Sequence, residues 1–184
     1  MNPAEHETRE RDLNRLRVTE VFYSLQGESS TIGFPTVFVR LTGCPLRCSY
    51  CDTSYAFTGG KWMEIQDLLQ QIGAHQTRYD PRVALVMDLK TPGSGEMEKN
   101  LYKNLELLSP TDQVKFVICN KKDYKWSREQ VRQWRLDERC EVLFSPCYKQ
   151  LKPAKLAGWI LRDELPVRFQ IQLHKLLWGD QPGH

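Results

Sequence analysis

A chain of 184 residues and 21.6 kDa, 40% hydrophobic and 27% charged, is long enough for one domain with a sizeable core and too apolar to be wholly disordered. Its net charge of +3 argues against a nucleic-acid or anionic-membrane partner and is compatible with a small anionic substrate. No apolar run approaches the ~20 residues of a membrane helix, and the charged stretch from Glu5 to Arg17 has no apolar h-region, so neither a membrane span nor a secretory signal is expected.

Residues Met1 to Arg15 read as a polar leader, and strand-like and helix-like segments alternate from Arg17 onward. The expected organisation is a leader over 1–16 and one domain over 17–184, without internal repeats. The β-branched and aromatic run Val37 to Leu41 predicts a strand. Ile65, Leu68, Leu69 and Ile72 have helical spacing within Met63 to Ile72, with Gly73 as the stop. Val83 to Met87 is a second strand candidate, and Leu101, Leu105 and Leu108 mark the next helix. Val114 to Ile118 predicts a third strand. Ser127 and Gln130 have capping-box spacing and would open a helix running through Trp134. A strand over Val142 to Phe144, a helix over Pro153 to Leu161 with Pro in its first turn, and a last strand over Val167 to Ile171 complete the series. Strands alternating with helices imply parallel βαβ units, whose active sites lie at the carboxyl ends of the strands. The cysteine loop follows Leu41, Asp88-Leu89-Lys90 follows Met87, and Ser145-Pro146 follows Phe144, so three polar groups converge at such ends.

Three of the six cysteines, Cys44, Cys48 and Cys51, fall in a C-x3-C-x2-C loop. In a chain without an export signal, such clustering points to metal binding or catalysis more than to disulfides. Three thiolates can hold three irons of a 4Fe–4S cluster and leave the fourth iron open to a small molecule. Zinc is the other reading, with a fourth ligand from Cys119, Cys140, Cys147 or a histidine. Cys119, Cys140 and Cys147 otherwise read as small buried hydrophobes.

With Tyr50 directly before the third cysteine, the loop resembles the signature of the radical S-adenosylmethionine superfamily. In that superfamily the cofactor's amino and carboxylate groups chelate the open iron, and one electron cleaves it to a 5′-deoxyadenosyl radical that abstracts a substrate hydrogen. The flanks narrow the resemblance. Glu20 to Glu28, Gly33-Phe34-Pro35, Phe38 to Cys44, Cys51-Asp52-Thr53, Phe169 to Lys175 and Trp178-Gly179-Asp180 together resemble the 7-carboxy-7-deazaguanine synthase family of queuosine biosynthesis. That family converts 6-carboxy-5,6,7,8-tetrahydropterin to 7-carboxy-7-deazaguanine with loss of ammonia, using S-adenosylmethionine and magnesium.

The resemblance implies roles residue by residue. Leu25, Gln26, Gly27 and Glu28 would line the substrate, and Arg40 would pair with its carboxylate through a planar fork. Cys44, Cys48 and Cys51 would hold the cluster. Tyr50, Cys51, Asp52, Lys90, Ser145, Pro146 and Cys147 would contact S-adenosylmethionine, and Thr53 would offer an oxygen to Mg2+. Pro182 to His184 are candidates for closing the substrate pocket. Also implied are a reductant such as flavodoxin, the homodimer known in the family, and a cytoplasmic location. Taken singly, Arg40 reads as a strand surface residue, Lys90 as a solvated loop lysine, and His174 and Lys175 as an exposed end. Ser29 stands where the family commonly has glycine.

One departure is large. The family carries a Thr-Gly-Gly-Glu-Pro segment, whose backbone and Glu bind the cofactor's amino group, and later a Glu-Thr-Ser-Gly strand end. Neither occurs here, where Gly59-Gly60 is the only adjacent pair. The chain passes from the end of the first helix to the approach of a later strand near Tyr79–Asp80. The expected fold is therefore α/β, a partial open parallel (βα) barrel of the radical S-adenosylmethionine type with about two βα units missing. A sheet without internal strands must close up or leave unpaired edges, so an intact cluster loop beside a displaced cofactor site is expected. The alternative is a catalytically impaired iron–sulfur or zinc-binding remnant. A different radical enzyme, such as an activase, shares the cysteine loop but not the Gln26-Gly27-Glu28 and Arg40 flanks.

Overall fold

The computed structural model describes residues 14–73 and 84–181. β1 (Arg15–Leu25) is an 11-residue strand with antiparallel partners on both sides, β2 (Pro35–Leu41) and β3 (Lys61–Glu64), in the order β2-β1-β3. Phe22 sits opposite Phe38 in that register, and their rings stack at 4.8 Å. α1 (Ile65–Gly73) follows β3 directly. Met63 thus belongs to a strand rather than to the predicted helix, because Lys61 to Glu64 pair with the start of β1.

A second sheet contains β4 (Val86–Asp88), β5 (Gln113–Ile118), β6 (Glu141–Pro146) and β7 (Arg168–Phe169), all parallel and in chain order. This is the parallel α/β arrangement expected of alternating strands and helices. β5 and β6 are buried nearly throughout, as parallel strands covered on both faces should be. α2 (Lys121–Trp134) joins β5 to β6, α3 (Pro153–Arg162) joins β6 to β7, and α4 (Leu173–Trp178) follows β7. The core lies between this sheet and the helices. Phe116, Phe144, Tyr124, Leu136 and Leu156 are fully buried in it. The edge contact of Phe116 on Phe144, centroids 5.3 Å apart, adds about 0.5–1.5 kcal/mol beyond burial.

Several expected elements are corrected. The antiparallel β1–β3 sheet stands beside the parallel one and was not anticipated by an all-parallel reading. α2 starts six residues before the predicted capping box, because the Asn120 side chain accepts from the amides of Lys122 and Asp123 at 2.8 and 3.0 Å. Ser127 is consequently a buried residue inside the helix. The helix expected at Leu101 to Leu108 is a 3-10 segment over Tyr102–Leu107, with Leu105 as its buried anchor. Pro92, Gly93 and Gly95 break the chain before it and Pro110 after it. The predicted strand from Val83 is Val86–Asp88, and Val83 lies outside the described residues. β7 pairs only at Arg168 and Phe169; beyond it the Gln170 amide still donates to the Phe144 carbonyl at 3.1 Å, and its side chain accepts from the Ser29 amide.

No strand pair joins the two sheets among the described residues. No helix among those residues is long and apolar enough to cross a membrane.

Candidate functional site

A cavity of about 780 Å³ is lined by residues of both sheets and of the loops that leave them. Its first wall is the turn leaving β1, with Leu25, Gln26, Gly27 and Glu28. The Gln26 amide donates to the Phe34 carbonyl, and the Gly33 amide donates back to the Gln26 carbonyl, both at 2.8 Å. Gly27 allows the closest approach at this wall, since a Cβ there would lie 2.1 Å from His174 Nδ1. Ser29 has φ +70°, in the left-handed region that favours glycine. The Gln170 Oε1 accepts its amide at 3.0 Å and holds the strained turn.

Arg40, on β2, lines the same cavity. Its Nε donates to Glu20 Oε1 at 2.6 Å and Nη1 donates to Thr53 Oγ1 at 3.5 Å. The Tyr55 hydroxyl also donates to Glu20 Oε1 at 2.6 Å. Glu20 therefore fixes the base of the Arg40 fork from the neighbouring strand.

The cysteine loop leaves β2 and contributes Cys44, Cys48 and Cys51 to the lining. Cys44 and Cys51 are exposed and Cys48 is half-buried. Burial pushes the Cys48 thiol up, with Lys90 opposing. No group of three His, Cys, Asp or Glu side chains is gathered at metal-binding geometry among the described residues. Tyr50 packs on Val117, Cys119 and Cys147, and its buried hydroxyl has no hydrogen-bond partner among the described residues. That burial raises its pKa well above the ordinary tyrosine value.

β4, β5 and the loop after β4 supply another wall. Lys115 Nζ stands 2.8 Å from Glu28 Oε2 and 3.4 Å from Asp88 Oδ1, while Lys90 Nζ stands 2.8 Å from Asp88 Oδ2. Burial works against the Asp88 carboxylate, but the two lysines outweigh it and hold the pKa below the usual range. Burial likewise opposes charge on Lys115, and Asp88 with Glu28 outweighs it and raises the pKa.

The C-terminal segment closes the side. The Leu173 amide donates to the Gly27 carbonyl at 2.9 Å, which seats α4 on the first wall. Burial depresses the His174 pKa, with Glu28 partly offsetting it. Lys175 is buried and bridges Asp52 at 3.0 Å and Asp180 at 3.2 Å. Burial opposes the Asp52 charge, but Lys175 and Thr53 bonds keep its pKa low.

Of the residues singled out by sequence, Leu25, Gln26, Gly27, Glu28, Arg40, Cys44, Cys48, Tyr50, Cys51, Asp52, Thr53, Lys90 and Cys147 all line this one cavity. Ser145 and Pro146 do not. Ser145 is fully buried, its Oγ donating to the Gln170 carbonyl at 3.3 Å. Pro182 to His184 lie outside the described residues. Asp88, His174, Lys175 and Asp180, given no site role by sequence, also line it, as does Lys115. His174 and Lys175 are not the exposed end that each suggests alone, since Lys175 is buried and His174 half-buried where α4 seats on the first wall. Lys115 had one legible signal, a lone charge between apolar residues of a buried strand.

No family model matches the chain. It is 35% identical to the 7-carboxy-7-deazaguanine synthase of Chlorobaculum tepidum, over 89% of this chain and 94% of that protein. It is 33% identical to the synthase of Koribacter versatilis, over 89% and 97%. The first alignment spans 208 positions, more than this chain's 184 residues, so it opens gaps within this chain. A crystal structure of QueE from Escherichia coli is similar in fold, with a TM-score of 0.58 at 18% identity over 87% of this chain and 95% of that one. With relatives of this identity matched over nearly their whole length, the chain belongs to the 7-carboxy-7-deazaguanine synthase family.

Proposed function

We propose that the chain is a radical S-adenosylmethionine lyase converting 6-carboxy-5,6,7,8-tetrahydropterin to 7-carboxy-7-deazaguanine with loss of ammonia. The observation that carries this reading is the single cavity: it collects the three loop cysteines, the Gln26 to Glu28 turn, Arg40 and Lys90. The donor set fits a thiolate-held cluster, because Cys44, Cys48 and Cys51 are free thiols on one short loop facing one chamber. Bound there, the cluster and S-adenosylmethionine would supply the one-electron chemistry that starts hydrogen abstraction.

The chain's own residues would bind and orient. Glu20 holds the Arg40 guanidinium at the cavity wall, where it would take the substrate carboxylate. Leu25, Gln26, Gly27 and Glu28 would meet the pterin edge. Tyr50, Cys51, Asp52, Lys90 and Cys147 would surround the cofactor, with Ser145 and Pro146 supporting from behind. Thr53, whose hydroxyl donates to Asp52 Oδ1 at 2.8 Å, would offer the hard oxygen to Mg2+. A flavodoxin-like reductant, a homodimer, a cytoplasmic location and a single domain over 17–184 after a 1–16 leader belong to the same proposal. So does an open partial barrel lacking about two βα units, supported by two sheets that share no strand pair among the described residues and by the alignment gaps.

A second reading, a metal-binding remnant without turnover, is favoured by the absent Gly-Gly-Glu segment. Anaerobic reconstitution with iron and sulfide, followed by dithionite, S-adenosylmethionine, magnesium and substrate, tests both. Product over many turnovers, read by mass spectrometry, is the expected result. A well-formed cluster with neither product nor deoxyadenosine overturns the lyase reading in favour of the remnant.

A further inference from the structure

Lys115 is the one charged side chain in the buried strand β5, between Val114 and Phe116, both of which are fully buried. Burying an ammonium is costly unless it is paired. Here it is paired twice, and unequally: 2.8 Å to Glu28 Oε2 and 3.4 Å to Asp88 Oδ1. Asp88 is shared in turn, its other oxygen held by Lys90 at 2.8 Å. Glu28 Oε1 is buried without a hydrogen-bond partner among the described residues, and Asp88 Oδ1 is buried with only the 3.4 Å approach of Lys115. Four charges therefore form one chain across the cavity. It starts on the turn leaving the antiparallel sheet and ends at the carboxyl end of β4. Among the described residues no strand pair fixes that spacing, so these side chains contribute to it.

We propose that Lys115 is a positioning residue that couples the two walls of the cavity. A ligand donating hydrogen bonds to Glu28 weakens the hold of Glu28 on Lys115. Lys115 then moves onto Asp88, whose grip on Lys90 loosens, and Lys90 is released to meet the carboxylate of an amino-acid-type ligand. The inference rests on the proposed function, which supplies a pterin for Glu28 and S-adenosylmethionine for Lys90. By linkage, each ligand then tightens the other by the same factor.

The test is binding without turnover, on the reconstituted full chain under anaerobic conditions without reductant. The Kd of S-adenosylmethionine is measured by calorimetry with and without 6-carboxytetrahydropterin. Wild type is expected to tighten at least about fivefold with the pterin, the lower end of ordinary coupling. Lys115→Met is expected to bring that factor to about one with cluster content unchanged. Glu28→Gln guards against a Lys115 variant that fails to fold: it frees Lys115 for Asp88, and is expected to tighten S-adenosylmethionine binding in the absence of pterin. Wild type that binds both ligands independently overturns the coupling alone. Full coupling in Lys115→Met, or weakened cofactor binding in Glu28→Gln, also overturns it. Wild type that binds neither ligand overturns the proposed function and the coupling with it.

Discussion

The Ser49 amide donates to the Ser94 carbonyl at 2.9 Å, and Ser49 Oγ donates to the Gly93 carbonyl at 2.8 Å. These bonds join the loop of Cys44, Cys48 and Cys51 to the loop after β4, across a gap that no strand pair bridges among the described residues. The receiving loop is itself anchored, since the Asp123 carboxylate accepts from the Gly93 amide at 2.8 Å and the Cys119 amide at 3.0 Å.

Asp123 is fully buried, so its removal leaves two amides without an acceptor. Asp123→Asn keeps one acceptor and turns an NH2 toward the other amide. It should cost about 1–3 kcal/mol, the penalty of an unsatisfied buried group. Urea denaturation followed by circular dichroism gives the value. A change under a few tenths of a kcal/mol would refute the anchoring role.

The cluster assignment separates the cysteines into two sets. Cys44→Ser, Cys48→Ser and Cys51→Ser should each abolish the visible iron–sulfur absorbance after reconstitution. Cys119→Ser, Cys140→Ser and Cys147→Ser should keep it, because those three thiols are buried on or beside the parallel sheet. Loss of metal on substituting one of the second set would favour a four-ligand zinc site.

Gly27→Ala places a methyl group where His174 Nδ1 stands, 2.1 Å from the ideal Cβ. The histidine ring is expected to swing outward. Burial is what depresses its pKa, so exposure should raise it toward the ordinary value of 6.5. Imidazole proton shifts followed through a pH titration report this directly, and an unmoved titration would show that the ring stays in place. Substrate Kd should rise about tenfold, or ~1.4 kcal/mol.

Asp163 gives an acid-stability prediction away from the cavity. The Arg162 bond, together with bonds from Tyr124 and Arg128, lowers its pKa to about 2. The folded value lies below the unfolded one, so its stabilisation is present above about pH 4 and is lost as pH falls toward 2. Asp163→Asn should therefore lower the melting temperature at pH 5 and converge with wild type near pH 2. Equal differences at both pH values would exclude the linkage.

Much of the site was legible because its residues are local in sequence. The cysteine loop, Gln26-Gly27-Glu28 and Asp52-Thr53 are short runs whose residue types and spacing carry the chemistry directly. Ser29 stood where the family commonly has glycine, and its φ of +70° shows why glycine suits that position. The strands of the parallel sheet were legible from continuous apolar runs. β1 was not predicted as a strand, because its half-exposed faces give mixed burial and no clean alternation. The start of α2 was missed because a single Asn side chain, not the capping-box pair, takes the free amides.

By itself, the sequence determined the family, the parallel strands and the loop that presents three thiols. These depend on residues within a few positions of one another, where spacing alone fixes geometry. Only the tertiary structure decided which distant charges meet. Lys115 meets Glu28 across 87 positions, and Lys175 reaches Asp52 from the C-terminal helix. Such pairs are set by how segments far apart in sequence are brought together. A buried charge in the sequence announces that it needs a partner, and the fold chooses which one.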